Sequence, residues 1–249
     1  MIKLAQLEGS PEIFYTIQGE GKNLGKPSIF IRTSLCNLHC VWCDTDYTWN
    51  WKGTRFSHVN DSKPGYEKFD KSEWVKELES EEVLATIQQF PCKNIVITGG
   101  EPLLQQTELY SLCKALKLAN YCIEIETNGT RIPEEKLSPL IDQYNVSPKL
   151  ENSNNPTHLR IKPKVLHWYA RENRSIFKFV LDSEKDLTEV LKLQKDYKIS
   201  PGQIYLMPQG TTADMLDKRK QWVVEICKSY GFNFTDRLHV QLWGDKKGV

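Results

Sequence analysis

The sequence predicts an α/β protein with a mostly parallel sheet, built either as a full or partial (β/α) barrel or as an open doubly wound sheet. Three observations predict it. Short apolar runs alternate with amphipathic segments along most of the chain, which is the pattern of repeated β/α units. The 249 residues suffice for one sizeable domain with its own core. Hydrophobic residues at 39% and charged residues at 26% are ordinary for a globular protein.

The elements follow in order. Residues 28–33 (SIFIRT) read as a strand, and residues 94–98 (NIVIT) as a second, followed by Gly-Gly-Glu-Pro. Between them Ser80 suits a helix N-cap, with Glu81 and Glu82 in the first turn. Val83, Leu84, Ile87 and Phe90 then repeat at helical spacing until Pro91 ends the run. Leu109, Leu112, Cys113 and Leu116 form another helical stripe, and residues 121–126 (YCIEIE) the next strand. Residues 144–147, 176–181 and 204–207 read as strands, 184–197 and 214–230 as helices. Residues 237–243 (RLHVQLW) are predicted to close the chain as a strand. Two stretches break the pattern. Residues 49–71 are polar with scattered aromatics and read as an insertion, either a lid or a surface for another partner; residues 150–164 read as a loop. Both candidate architectures place their sites at the carboxyl ends of strands.

Charge argues about partners. With 33 basic and 32 acidic residues the net charge is +1, which gives no electrostatic reason to expect nucleic acid or a membrane surface. No basic stretch leads into an apolar run at the N-terminus, and no stretch reaches the roughly 20 apolar residues that span a bilayer. A cytoplasmic protein with a small-molecule or protein partner is expected. Seven cysteines, three of them within eight residues, read as metal binding rather than a disulfide framework.

Those three stand in Cys36-Asn-Leu-His-Cys40-Val-Trp-Cys43, directly after the first predicted strand. Thiolates are natural ligands of iron–sulfur clusters, and three on one loop hold three irons of a cubane while the fourth iron stays open. The rival on spacing alone is zinc, with His39 or His58 as the fourth ligand. Thr98-Gly99-Gly100-Glu101-Pro102 ends the next strand, where glycines permit close backbone approach and Glu101 offers an acceptor for an ammonium; alone, it could be a plain strand-to-helix turn.

Together these motifs resemble the radical S-adenosylmethionine (SAM) superfamily, whose signature is Cys-x3-Cys-x2-Cys with an aromatic, here Trp42, before the last cysteine. The resemblance implies a [4Fe-4S] cluster on Cys36, Cys40 and Cys43, SAM cleavage to a 5′-deoxyadenosyl radical, and a partial or modified (β/α) barrel as one domain over residues 1–249. Further segments narrow it: Ile17-Gln18-Gly19-Glu20-Gly21, Phe30-Ile31-Arg32, Trp42-Cys43-Asp44-Thr45, Glu126-Thr127-Asn128-Gly129-Thr130, Ser147-Pro148-Lys149, Leu206-Met207-Pro208-Gln209-Gly210 and the tail RLHVQLWGDKKGV. This set is similar to the 7-carboxy-7-deazaguanine synthase family, carbon–nitrogen lyases of queuosine biosynthesis. The family converts 6-carboxy-5,6,7,8-tetrahydropterin to 7-carboxy-7-deazaguanine with release of ammonia, and uses Mg2+ besides the cluster and SAM. The resemblance also implies a homodimer and an electron donor such as a flavodoxin.

By the same resemblance, Ile17, Gln18, Gly19, Arg32 and Thr98 would touch the pterin. Trp42, Cys43, Asp44, Gly100, Glu101, Ser147, Pro148, Lys149, Gln209, Gly210, Thr211 and Thr212 would touch SAM, and Thr45 would ligate Mg2+. Gln209 departs from the family, where glutamate is expected. Read as residues alone, Gln18 to Gly21 could be an ordinary turn, Arg32 could face solvent, residues 147–149 could be a plain loop and Thr45 a turn residue. Glu124 and Glu126 share one side of their strand, and an outward, solvated face is the default expectation for them. Cys92, Cys113, Cys122 and Cys227 lie in apolar surroundings and read as packing thiols. Two rival functions share features with this reading: an activase that installs a glycyl radical on a partner enzyme, and a non-catalytic zinc-binding module.

Overall fold

The computed structural model describes residues 1–249. Its strands are β1 (Ile2–Leu7), β2 (Ser10–Pro11), β3 (Ile13–Ile17), β4 (Pro27–Thr33), β5 (Val75–Leu78), β6 (Asn94–Gly99), β7 (Cys122–Thr127), β8 (Gln143–Val146), β9 (Ser175–Leu181), β10 (Ile204–Pro208) and β11 (Asn233–Phe234). They join in one sheet ordered β11-β10-β9-β8-β7-β6-β4-β1-β2, with β3 on β4 and β5 on β1. Every pair from β4 through β11 along that path is parallel. The remaining pairs, around β1 and β3, are antiparallel. The helices are α1 (Lys71–Trp74), α2 (Ser80–Ile87), α3 (Gln106–Leu118), α4 (Thr157–Arg160), α5 (Pro163–Arg171), α6 (Asp186–Tyr197), α7 (Ala213–Tyr230) and α8 (Leu238–Trp243). This is the mostly parallel α/β sheet that the alternating pattern predicts.

Period-2 alternation divides the strands between two faces. Ile29 and Ile31 of β4, Ile95 and Ile97 of β6, and Ile123 and Ile125 of β7 are sealed into a core of 37 buried residues. Leu109, Leu112, Cys113 and Leu116 of α3 cover them from one side. Each such aliphatic side chain removed from water contributes about 1.5–3 kcal/mol. The intervening residues form the other face. Phe30, Arg32, Thr98, Glu126, Lys178, Val180 and Met207 line a cavity of about 230 Å³. Register puts Arg32 beside Thr98 and Val180 beside Met207, so this inner wall is continuous across the sheet.

Several expectations are corrected. Residues 237–243 are not a strand: α8 occupies them, with only Val240 buried while Leu242 and Trp243 face solvent. The edge of β10 is already taken by β11, a two-residue strand too short to show in the sequence. Residues 150–164 are not merely a loop, since they hold α4 and the start of α5, where Pro163 takes the first-turn position that needs no N–H. The N-cap of α2 is Glu79 rather than Ser80; its backbone N–H donates to Glu82 Oε2 at 2.8 Å. Strands β1, β2, β3 and β5 lie outside the strands predicted from the sequence. Residues 49–71 lie against the cysteine loop. Val59 N donates to the Val41 carbonyl at 2.8 Å, Phe56 stacks on His39, and Trp49 is buried.

The turn after β6 shows why two glycines stand there. Gly99 has φ +133°, and a Cβ on it would overlap the Thr33 carbonyl oxygen; a Cβ on Gly100 would overlap the Leu35 carbonyl oxygen. Gly100 N donates to Thr33 O at 3.0 Å and Glu101 N to Leu35 O at 2.8 Å, which pins the start of the cysteine loop to the end of β6. Gly99→Ala should therefore cost about 3 kcal/mol, because backbone rather than a flexible side chain must give way. Gly202→Ala, with nothing within 4 Å of the new methyl, should change stability by less than about 0.5 kcal/mol. Urea denaturation of both variants checks this, and equal midpoints would overturn the account.

Candidate functional site

The cavity opens at the carboxyl ends of the parallel strands. Its floor is the loop that leaves β4, carrying Cys36, Cys40 and Cys43, all of which line it. Each sulfur meets a hydrogen-bonding group. Leu38 N approaches Cys36 Sγ at 3.5 Å, Asn155 Nδ2 approaches Cys40 Sγ at 3.3 Å, and Thr45 Oγ1 lies 3.6 Å from Cys43 Sγ. Burial pushes all three thiols up, Cys40 to about 12. Bound metal reverses that preference, since a coordinating thiol loses its proton. No three His, Cys, Asp or Glu side chains converge on one ion-sized point. A cubane gives each of three thiolates its own iron, and three cysteines of one loop line the cavity. The donor set fits a cluster.

The loop is braced from outside. His58 Nε2 donates to the Cys43 carbonyl at 2.8 Å, while its Nδ1 accepts from Asn60 N at 3.2 Å. Trp42 Nε1 donates to the Asn152 carbonyl at 2.9 Å. These contacts come from the 49–71 insertion and the segment after β8.

The side wall is polar and tightly paired. Arg32 Nε donates to Glu12 Oε1 at 2.8 Å; neither Nη is engaged by the protein. Gln18 Nε2 donates to Glu124 Oε1 at 2.6 Å, and Thr98 Oγ1 to Glu126 Oε2 at 2.9 Å. Glu124 and Glu126 thus point inward, against the solvated face expected for them, because the sheet's second face encloses the cavity instead of meeting bulk water. Burial pushes the Glu124 carboxyl up.

A buried ionic cluster closes the far end. Glu20 pairs with Lys178, and Arg237 Nε donates to Glu20 Oε1 at 3.0 Å. Arg237 also pairs with Asp44 and donates from Nη1 to the Gly210 carbonyl at 2.5 Å. Burial would raise the Glu20 carboxyl, but Lys178, Arg237 and His239 outweigh it and hold it well below the usual carboxylate range. Asp44 is held low in the same way, by Arg237 and Lys247 against burial. Leu238 N donates to the Gly19 carbonyl at 2.9 Å and Gly21 N to Thr235 Oγ1 at 2.7 Å, so the last segment of the chain meets the loop after β3.

Of the residues singled out in the sequence, Ile17, Gln18, Gly19, Arg32, Cys36, Cys40, Trp42, Cys43, Asp44, Thr45, Thr98, Gly100, Ser147, Lys149 and Gln209 line this one cavity. Pro148, Gly210, Thr211 and Thr212 do not; Thr212 caps α7 by accepting from Met215 N. Glu101 is a correction. It is fully buried outside the lining, and its carboxylate accepts from Leu103 N, Thr127 Oγ1 and Asn128 N. It knits the strand ends together rather than waiting for an ammonium. Sequence reasoning missed Lys178, Arg237 and Glu12. Lys178 carried a usable signal, as the lone charge in the apolar run of β9.

Comparisons with known proteins bear on the family and the fold. Residues 30–173 match the Radical SAM superfamily. The chain is 32% identical to the 7-carboxy-7-deazaguanine synthase of Pyrobaculum aerophilum, with 95% of each covered. It is 32% identical to that of Halobacterium salinarum, covering 94% of this chain and 90% of the relative. The crystal structure of QueE from Escherichia coli superposes with a TM-score of 0.66 at 26% identity, covering 95% of both chains.

The ionic cluster yields a prediction. Arg237→Met leaves Asp44 without its guanidinium partner and should cost about 3–5 kcal/mol at pH 7, measured by urea denaturation. Both carboxylates are depressed in the folded protein, so their contribution is full above their unfolded values near 4 and is lost as pH falls below them. The gap between wild type and variant should therefore narrow below about pH 4. A gap constant down to pH 2 would overturn this account.

Proposed function

The chain belongs to the radical SAM superfamily and, within it, to the 7-carboxy-7-deazaguanine synthase family, and on that footing we propose how its cavity performs the family's reaction. The reaction turns 6-carboxy-5,6,7,8-tetrahydropterin into 7-carboxy-7-deazaguanine with loss of ammonia, on a [4Fe-4S] cluster and SAM. When bound, that pair supplies one-electron cleavage of a sulfonium and hence a carbon radical.

The chain's own residues bind, orient and shield. Cys36, Cys40 and Cys43 would each hold one iron. Trp42, Ser147, Lys149 and Gln209, grouped on the cluster side of the cavity, would hold SAM, with the backbone at Gly100 beside it. Arg32 and Thr98 are register partners on β4 and β6, and with Ile17, Gln18 and Gly19 they would hold the pterin. The free Nη groups of Arg32 suit a carboxylate, for which a planar fork of donors is the best match. Glu126, an acceptor beside Thr98, suits the N–H edge of an aminopyrimidinone ring. The observation that carries this reading is that the cysteine loop, the Arg32–Thr98 pair and Lys149 line a single cavity. Three further readings rest on the family resemblance: one radical SAM domain across the chain, a homodimer, and a one-electron donor such as a flavodoxin.

Mg2+ belongs to the same proposal. Thr45 lines the cavity, and the only neighbour of its hydroxyl within bonding reach is Cys43 Sγ at 3.6 Å. Its carbonyl, not its hydroxyl, serves the turn by accepting from Thr48. An unspent oxygen beside the cluster loop suits a hard cation that keeps several waters. Thr45 would hold such an ion, which would supply charge stabilisation to the substrate's carboxylate.

Two experiments test this reading. Reconstituted protein, incubated anaerobically with carboxytetrahydropterin, SAM and a reductant, should form 7-carboxy-7-deazaguanine and hold about four irons. Replacing Cys36, Cys40 and Cys43 together by alanine should abolish both, and a fully loaded wild type that makes no product would refute the assignment. Thr45→Val keeps the side-chain shape but removes the oxygen. It should bind cluster and SAM normally yet lose most of the stimulation by added Mg2+; an unchanged Mg2+ response would remove Thr45 from the metal site.

A further inference from the structure

The three cluster-loop thiols differ in what surrounds them. Near Cys36, Asn128 Nδ2 donates to Asn37 Oδ1 at 2.9 Å and stands 3.9 Å from the sulfur, too far for a close contact. Cys43 has the Thr45 hydroxyl at 3.6 Å. Cys40 alone meets a side-chain amide at close range, with Asn155 Nδ2 at 3.3 Å.

Asn155 has no other way to point. Its Oδ1 accepts from His39 N at 2.8 Å, and a backbone N–H can only donate, so the NH2 group faces the other way, where its two hydrogens reach Cys40 Sγ at 3.3 Å and Ser153 Oγ at 3.2 Å. The residue is buried, and its own carbonyl accepts from Arg160 Nε at 3.1 Å. Arg160 is buried too, fixed by the Lys149 carbonyl at 2.9 Å and by Glu189 at 2.5 Å. A remote loop, 115 residues along the chain from Cys40, therefore delivers one oriented N–H to one thiolate.

We propose that Asn155 is a positioning residue that sets the reduction potential of the cluster through its hydrogen bond to Cys40. This rests on the reading of Cys36, Cys40 and Cys43 as cluster ligands. An electron added to the cluster raises the negative charge on the thiolate sulfurs. An N–H aimed at Cys40 stabilises the reduced form more than the oxidised form, so it raises the potential and eases reduction. The same amide holds the His39 N–H and with it the shape of the loop between Cys36 and Cys40.

The test is a redox titration followed by electron paramagnetic resonance on reconstituted wild type, Asn155→Leu and Asn155→Asp, with iron and sulfide counted in each. Asn155→Leu removes the donor. Asn155→Asp places an anionic acceptor where the donor stood. At a fixed applied potential the ratio of reduced to oxidised cluster should fall about tenfold in Asn155→Leu, equal to about 59 mV for a one-electron couple. It should fall further in Asn155→Asp. Wild-type potentials in fully loaded variants would overturn the proposal. Should either variant fail to load iron, pulsed resonance on reduced wild type labelled with 15N-asparagine decides. A side-chain nitrogen coupled to the cluster supports the bond, and no such coupling refutes it. A wild type without any cubane would instead overturn the cluster reading itself, which keeps the two failures distinct.

Discussion

One guanidinium ties the walls of the cavity together. Arg237 reaches Glu20 after β3, Asp44 at the end of the cluster loop and the Gly210 carbonyl after β10. These segments are distant in sequence. Burying a charge is costly unless partners surround it, and here Arg237 and Lys178 face Glu20 and Asp44 in a balanced set of two cations and two anions. Arginine suits the task because its planar fork serves several acceptors at fixed angles, which a lysine cannot do. The spacing between the segment after β3, the cysteine loop and the segment after β10 follows from that one fork.

Most of the fold was legible in the sequence because its parallel strands are buried and apolar. Runs such as NIVIT in β6 have few alternatives, and the helices between them carry clear stripes. What escaped was the rim. Strands β1 and β5 pair antiparallel; β5 exposes two of its four residues, and Lys3 and Gln6 interrupt the apolar run of β1, so the pattern fades. Residues 237–243 misled for the opposite reason: Leu238, Val240 and Leu242 alternate like a strand, yet β11 already pairs along the edge of β10. Local pattern cannot report that an edge is already taken.

The site divides the same way. Cys36, Cys40, Cys43, Arg32, Thr98 and Thr45 sit in motifs tied to strand ends, and all of them line the cavity. Glu101 shows where motif reasoning overreached. Gly-Gly-Glu looked like a ligand cradle, but Gly99, Gly100 and Glu101 are held first by packing against Thr33 and Leu35 and by bonds to Thr127 and Asn128. Glu124 and Glu126 were not legible as site residues because charge on a strand ordinarily marks a wet face. Only the curvature of the sheet, a property of all strands together, turns that face inward.

The brace around the cysteine loop separates shaping the loop from filling it. In small zinc modules the metal organises the chain, and chelation unfolds the protein. Here the loop's path is written by protein hydrogen bonds: His58 to the Cys43 carbonyl, Val59 to Val41, Trp42 to Asn152, Gly100 and Glu101 to Thr33 and Leu35. Iron bound by Cys36, Cys40 and Cys43, as proposed above, would enter a mould instead of creating one. Oxygen damage to such a cluster strips a tool from an intact holder, and repair becomes a matter of resupply rather than refolding.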